Sequence, residues 1–151
     1  VDTRSTLARL VSSGPNGRQS VSGLAHLAIE EALLGEAPGL PVSRAVLAMA
    51  LNALLFGDLL ERVPTARRYV SALHRAGDAI VFDHGALRTI DGETGALPRG
   101  RAAIARLLEP LGYTVGGIYP LPRLRMTGRA YVHRDLPEAI PQFFVSELHV
   151  D

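Results

Sequence analysis

Ile80-Val-Phe-Asp-His-Gly-Ala-Leu-Arg-Thr-Ile90 is followed directly by the turn pair Asp91-Gly92. Apolar and β-branched residues fill the segment, so it reads as a strand over 79–90. Alternate strand residues share a face, which puts His84 and Arg88 on the same side, about 13 Å apart along the chain. A neutral imidazole is the commonest protein metal ligand, and a guanidinium is a fixed cation. Such a face can hold a metal close to a carboxylate.

Moving back from this strand, the apolar period changes near residue 78. Residues 3–11 carry Leu7, Leu10 and Val11 and predict a first helix. Ser12 to Gly17 reads as a turn. Ser20 or Ser22 is placed to cap a second helix that passes through Leu24, Leu27 and Leu34 and ends near Gly35. Residues 37–41 break it. Ser43 caps a strongly patterned helix with apolar residues from Val46 to Leu55, which Pro64 is expected to end. Thr65 is expected to cap another, closed by Gly77.

Moving forward, Asp91 to Gly95 reads as a loop and 99–109 as an amphipathic helix ending at Gly112. Strands are expected at 113–121, 124–133 and 142–150, with a turn at Pro137-Glu138. Gly116-Gly117 inside a strand pattern marks a bulge or bend. The predicted class is α+β: an N-terminal helical layer (1–77) followed by one β-α-β-β-β unit (78–151). That element order is the unit of the vicinal oxygen chelate superfamily, where two units pair around a metal.

Composition narrows the function. At 151 residues the chain fits one domain or a fragment. Sixteen basic residues nearly balance fifteen acidic ones, which argues against a nucleic-acid partner. The longest apolar run, 45–56, is well short of the roughly 20 residues a membrane span needs. No cysteine is present, so disulfides, thiolate metal sites and cysteine nucleophiles are excluded. This composition fits a cytoplasmic protein. No nucleotide fingerprint and no Ser-His-Asp constellation occurs.

Several ordered blocks carry a more specific signal. They are Phe82-Asp-His-Gly-Ala-Leu-Arg-Thr89, Glu109-Pro-Leu-Gly-Tyr113, Leu124-Arg-Met-Thr-Gly128 and Gln142-Phe-Phe-Val-Ser-Glu-Leu-His149. Together they resemble the N-terminal half of the 2-oxoadipate dioxygenase/decarboxylase family, also called hydroxyglutarate synthase. The resemblance covers roughly residues 40–151. It implies a vicinal oxygen chelate-like fold and one Fe(II) held by two histidines and a glutamate. It also implies conversion of 2-oxoadipate and O₂ to 2-hydroxyglutarate and CO₂ in lysine breakdown.

The family's His-Gly-Ala-x-Arg motif falls on His84 to Arg88. The match implies His84 as the first iron ligand and Arg88 as the group that binds a substrate carboxylate. The other two ligands lie in a second unit in family members, beyond this chain. The chain therefore reads as a half, weakly binding Fe(II) alone, with a second half or another copy as partner. An exposed apolar sheet face is expected where that partner packs.

Other readings stand beside this one. His84 and Arg88 can be an ordinary strand histidine and a surface ion-pair residue. The half-fold can serve as a non-catalytic binding or assembly protein. A glyoxalase-like dimer can build its metal site from His84 and Glu147 of two chains, because relatives of that kind use a fourth-strand carboxylate. His149 shares the strand face of Glu147. His133 is expected to be exposed near a turn, and His26 and His74 to be structural or solvated. Arg123, Arg125 and Arg129 form a basic stretch, read either as a solvated strand edge or as an attractor for a dianionic substrate.

Overall fold

The computed structural model describes residues 5–39, 41–93 and 95–150. Residues 3 and 4 of the first expected helix, Leu40 in the expected break, Thr94 in the expected loop and Asp151 lie outside them. The chain divides into two compact units, Val1–Phe82 and Asp83–Asp151.

The first unit is helical: α1 (Thr6–Ser13), α2 (Gly17–Leu24), α3 (Glu31–Leu34), α4 (Arg44–Arg62) and α5 (Pro64–Ala76). The Ser5 hydroxyl accepts the Ala8 N–H at the start of α1, and the Ser43 hydroxyl accepts the Val46 N–H at the start of α4. Both satisfy amide donors that have no partner within the helix. Helix α4 is the core element. Its Val46, Ala48, Met49 and Ala53 are buried, as are Leu7, Val11, Leu24 and Leu33 from the helices before it.

Two expectations need correction here. The single helix capped by Ser20 or Ser22 and ending near Gly35 is instead two short ones: α2 already starts at Gly17 behind Asn16, so both serines lie inside it, and residues 25–30 leave the helix. Leu27 forms a parallel bridge with Ile80, tied by Ala28 N–H to Ile80 O (2.8 Å) and Ile80 N–H to His26 O (2.7 Å). Thr65 is not the cap of α5. Pro64 occupies its first turn and Val63 its N-cap, since proline at that position has no amide to satisfy.

The second unit holds β1 (His84–Asp91), α6 (Ala102–Leu108), β2 (Tyr113–Leu121), β3 (Met126–His133) and β4 (Gln142–His149). The expected class and element order are present. Sheet order is β1-β4-β3-β2, with β1 parallel to β4 and the other pairs antiparallel. The β2–β3 register shifts between Val115 and Gly117, a bulge at the Gly-Gly pair. Strand β1 starts at His84 rather than residue 79, because Ile80 is spent on the bridge to Leu27. Strand β3 starts at Met126, since Pro122–Leu124 form a 3-10 turn and Arg125 takes a left-handed conformation (φ 52°).

Register divides the sheet into two faces. One carries Tyr113, Tyr131, Phe143 and Val145, all fully or almost fully buried. The turn that opens α6 is tied to this face through Glu147, which accepts the Arg101 N–H. His133 is also buried, contrary to expectation. Its Nε2 contacts Leu111 O at 3.0 Å, and its Nδ1 accepts the Asp135 and Leu136 N–H groups. It locks the turn after β3. The opposite face is the open one. None of the described helices is long and apolar enough to cross a membrane.

Candidate functional site

The open face is assembled from alternate residues of four strands. Parallel register sets His84 beside Gln142, Ala86 beside Phe144 and Arg88 beside Ser146. Strand β3 adds Gly128 and Ala130, and β2 adds Tyr119. His84, Ala86, Arg88, Ile90, Gln142 and Tyr119 are exposed. His84, Tyr119, Ala130, Gln142 and Phe144 line a cleft of about 170 Å³. His84 and Arg88 do share this face, as their spacing requires.

Each has a local support that the sequence did not reveal. The His84 Nδ1 lies 2.7 Å from Asp83 Oδ2. In the neutral ring a carboxylate on Nδ1 favours the tautomer with its proton there and leaves the Nε2 lone pair open to a ligand. Metal-ligating histidines are oriented in the same way. Arg88 Nε donates to the Ser146 hydroxyl at 3.3 Å, and that hydroxyl donates to Leu87 O at 3.4 Å. Ser146 is 6% exposed, so it is a fixed rest for the guanidinium, whose terminal nitrogens stay on the open face.

Replacing Ser146 with alanine should release Arg88 without touching His84. The expected result is a shifted Arg88 Nε resonance with the His84 imidazole resonances unmoved.

A second cluster sits at the far end of β1, on the other face. Ligand atoms of Asp91, Glu147 and His149 lie within 4.8 Å of one another and can hold a metal ion. The same atoms are engaged with protein partners. His149 contacts Thr127 Oγ1 (2.9 Å) through Nε2 and Asp91 Oδ2 (3.2 Å) through Nδ1. Glu147 pairs with Arg129 Nη1 at 3.2 Å and accepts the Arg101 N–H. Gly100, at φ +51°, makes room for it, because a Cβ there would stand 2.1 Å from Glu147 Oε2.

His84 and Glu147 therefore lie on opposite faces. Glu147 pairs with Thr89, well along β1 from His84. Arg129, from the basic stretch, is the partner of Glu147 rather than a free cation on the open face. Among the described strand residues of the open face, His84 is the one imidazole and no carboxylate joins it.

No protein-family model matches the chain, and no curated protein does. Solved structures do. One is a glyoxalase superfamily protein from Ralstonia eutropha JMP134, at 46% identity and TM-score 0.83, over 95% of this chain and 45% of that one. Another is a hydroxyglutarate synthase from Oryza sativa, solved in complex with 2-oxoadipate. It is 22% identical with TM-score 0.57, over 76% of this chain and 40% of that one. The chain thus spans less than half the length of either, and the more distant likeness speaks to the fold alone. With its β1-β4-β3-β2 sheet and this pair of neighbours, the chain has the glyoxalase-type, vicinal oxygen chelate fold.

Proposed function

We propose that this chain supplies one half of an Fe(II)-dependent dioxygenase/decarboxylase that acts on 2-oxoadipate or a close 2-oxo dicarboxylic acid. The observation that carries the reading is the open face. A histidine with its Nδ1 already fixed by Asp83 shares that face with an arginine seated on Ser146.

His84 fits the first position of a two-histidine, one-carboxylate iron site, since its Nε2 is free and pre-oriented. The strand residues described on the open face offer no second imidazole or carboxylate. The remaining ligands must come from a second unit, and both solved neighbours are long enough to contain one. Iron, when bound, supplies coordination of the 2-oxo acid and O₂ and the redox capacity for oxidative loss of CO₂. Arg88 offers a planar donor fork to the distal carboxylate and so fixes the direction in which the substrate lies. Phe144 and Ala130 give the cleft an apolar floor that excludes water from the substrate's methylene chain.

The choice of substrate class rests on the resemblance carried by His84-Gly-Ala-x-Arg88, and the rice hydroxyglutarate synthase, solved with 2-oxoadipate bound, shares the fold. A second reading rests on the likeness to the glyoxalase superfamily protein: a second copy of this chain covers the open face and completes a metal site there. In that case Glu147 is not the second ligand, because it faces the other way and is held by Arg129.

Metal stoichiometry separates the readings. The chain is loaded with Fe(II) anaerobically, alone and together with a separately produced second unit. The proposal expects weak iron retention alone, and one tight iron and O₂-dependent CO₂ release with the second unit. One tight metal per two copies of the chain alone supports the dimer. Iron-free chains in every combination would sink both.

A further inference from the structure

Helix α5, Pro-Thr-Ala-Arg-Arg-Tyr-Val-Ser-Ala-Leu-His-Arg-Ala, contains three arginines and a histidine and no acidic residue. The whole chain carries a formal charge of only +1, so this is local segregation of charge rather than a basic protein. His26, Arg67, Arg68, Ser71, His74 and Arg75 line a cleft of about 550 Å³ within the helical unit. Every one of these side chains can donate a hydrogen bond.

The guanidiniums are not neutralised. Arg67 donates to Leu60 O (3.0 Å) and Glu61 O (3.2 Å), Arg68 to Thr65 Oγ1 (3.3 Å) and Arg75 to Ser71 O (3.2 Å). None of the three pairs with a carboxylate among the described residues. Each uses one or two of its five donors, leaving the rest for a ligand. Glu61, which lines the adjoining groove, accepts from Asn16 Nδ2.

His26 and His74 add the aromatic wall of the cleft. The His26 Nδ1 is buried without a hydrogen-bond partner, so the ring meets the cleft through its other atoms. Its ring meets His74 edge-on, with centroids 4.5 Å apart. Burial pushes the His26 imidazole below its ordinary value, and His74 adds to the shift. An anion in the cleft would offset the charge of the three guanidiniums and supply acceptor oxygens.

We propose that this cleft binds a phosphate-bearing metabolite through its phosphate group, with Arg68, Arg75 and His74 as contacting donors. Arg67, held on the C-terminal carbonyls of α4, provides fixed background charge. A phosphate suits the site better than a single carboxylate, since it offers three acceptor oxygens and nearly two negative charges to several donors. The site is distinct from the open sheet face and carries no role in the chemistry proposed there.

The test titrates inorganic phosphate into the full chain by calorimetry, against chloride at matched ionic strength, with imidazole resonances followed by NMR. Saturable binding is expected, with the His26 and His74 signals moving. The Arg68→Ala/Arg75→Ala double variant should bind at least about tenfold more weakly. An Arg68→Lys/Arg75→Lys variant, which keeps the charge, should recover part of the affinity if the alanine variant is poorly folded. Absence of saturable binding overturns the proposal, as does equal affinity in both double variants and the wild type. Steeply salt-dependent binding of a single-stranded oligonucleotide, with none of phosphate, would assign the patch to nucleic acid and also overturn it.

Discussion

In the assembled enzyme, His84→Ala is expected to abolish both iron binding and turnover, whereas Arg88→Lys keeps the iron and weakens the substrate. A site with three protein ligands loses its hold when one is removed. Asp83 cannot take over, because its carboxylate contacts the far nitrogen of the ring it orients. Lysine at 88 preserves the charge but loses the planar fork and the rest on Ser146. The expected loss for a desolvated charge-assisted contact is on the order of 2–5 kcal/mol, or roughly 30-fold and more in affinity. Metal analysis and steady-state kinetics on the two variants check this. Full iron in His84→Ala, or an unchanged KM and kcat in Arg88→Lys, would remove the assignment.

The second large effect is on stability. Glu147 is 8% exposed and holds both Arg129 and the first turn of α6 to the sheet. Glu147→Ala leaves a largely buried guanidinium without its counter-charge and an amide without its acceptor. Breaking one partner of such a pair costs about 3 kcal/mol, which for a domain of this size lowers the melting midpoint by roughly 10 °C. Glu147→Gln keeps an acceptor for the Arg101 amide and should cost less than half as much. Iron loading by the assembled enzyme should survive Glu147→Gln, because the residue faces away from His84. A loss of iron in that variant would instead make the Asp91–Glu147–His149 cluster the metal centre.

Much of the second unit was legible because its punctuation is local. Gly112, the Gly116-Gly117 pair and Pro137 mark turns or a bulge by chain sterics alone, and alternation fixed which residues share a face. The spacing of His84 and Arg88 placed them together correctly for that reason. What escaped the sequence depends on contacts distant along the chain. The bridge between Leu27 and Ile80 ends the expected second helix early and delays β1. The fixed position of His133 comes from Leu111 and the following turn amides.

The supports of the site were hidden for the same kind of reason. Ser146 lies 58 residues from Arg88, and only the β1–β4 register brings them together. Asp83 adjoins His84, but neighbours within a strand point to opposite faces. Their contact forms because β1 begins at His84 and leaves Asp83 outside the pleat. Glu147 and His149 shared a face as expected, yet which face was undetermined until the register was known.

The proposed metal-binding face is the open one, centred on His84. Titrating Mn(II) into isotopically labelled chain and mapping paramagnetic broadening distinguishes it from the Asp91–Glu147–His149 cluster. His84 and Asp91 stand about 23 Å apart along β1, so the two candidate centres broaden different residues. Broadening that centres on His84, Gln142 and Ala130 is the predicted result. Broadening that centres on Asp91, Thr127 and His149 would instead place the metal on the opposite face and rule His84 out as its ligand.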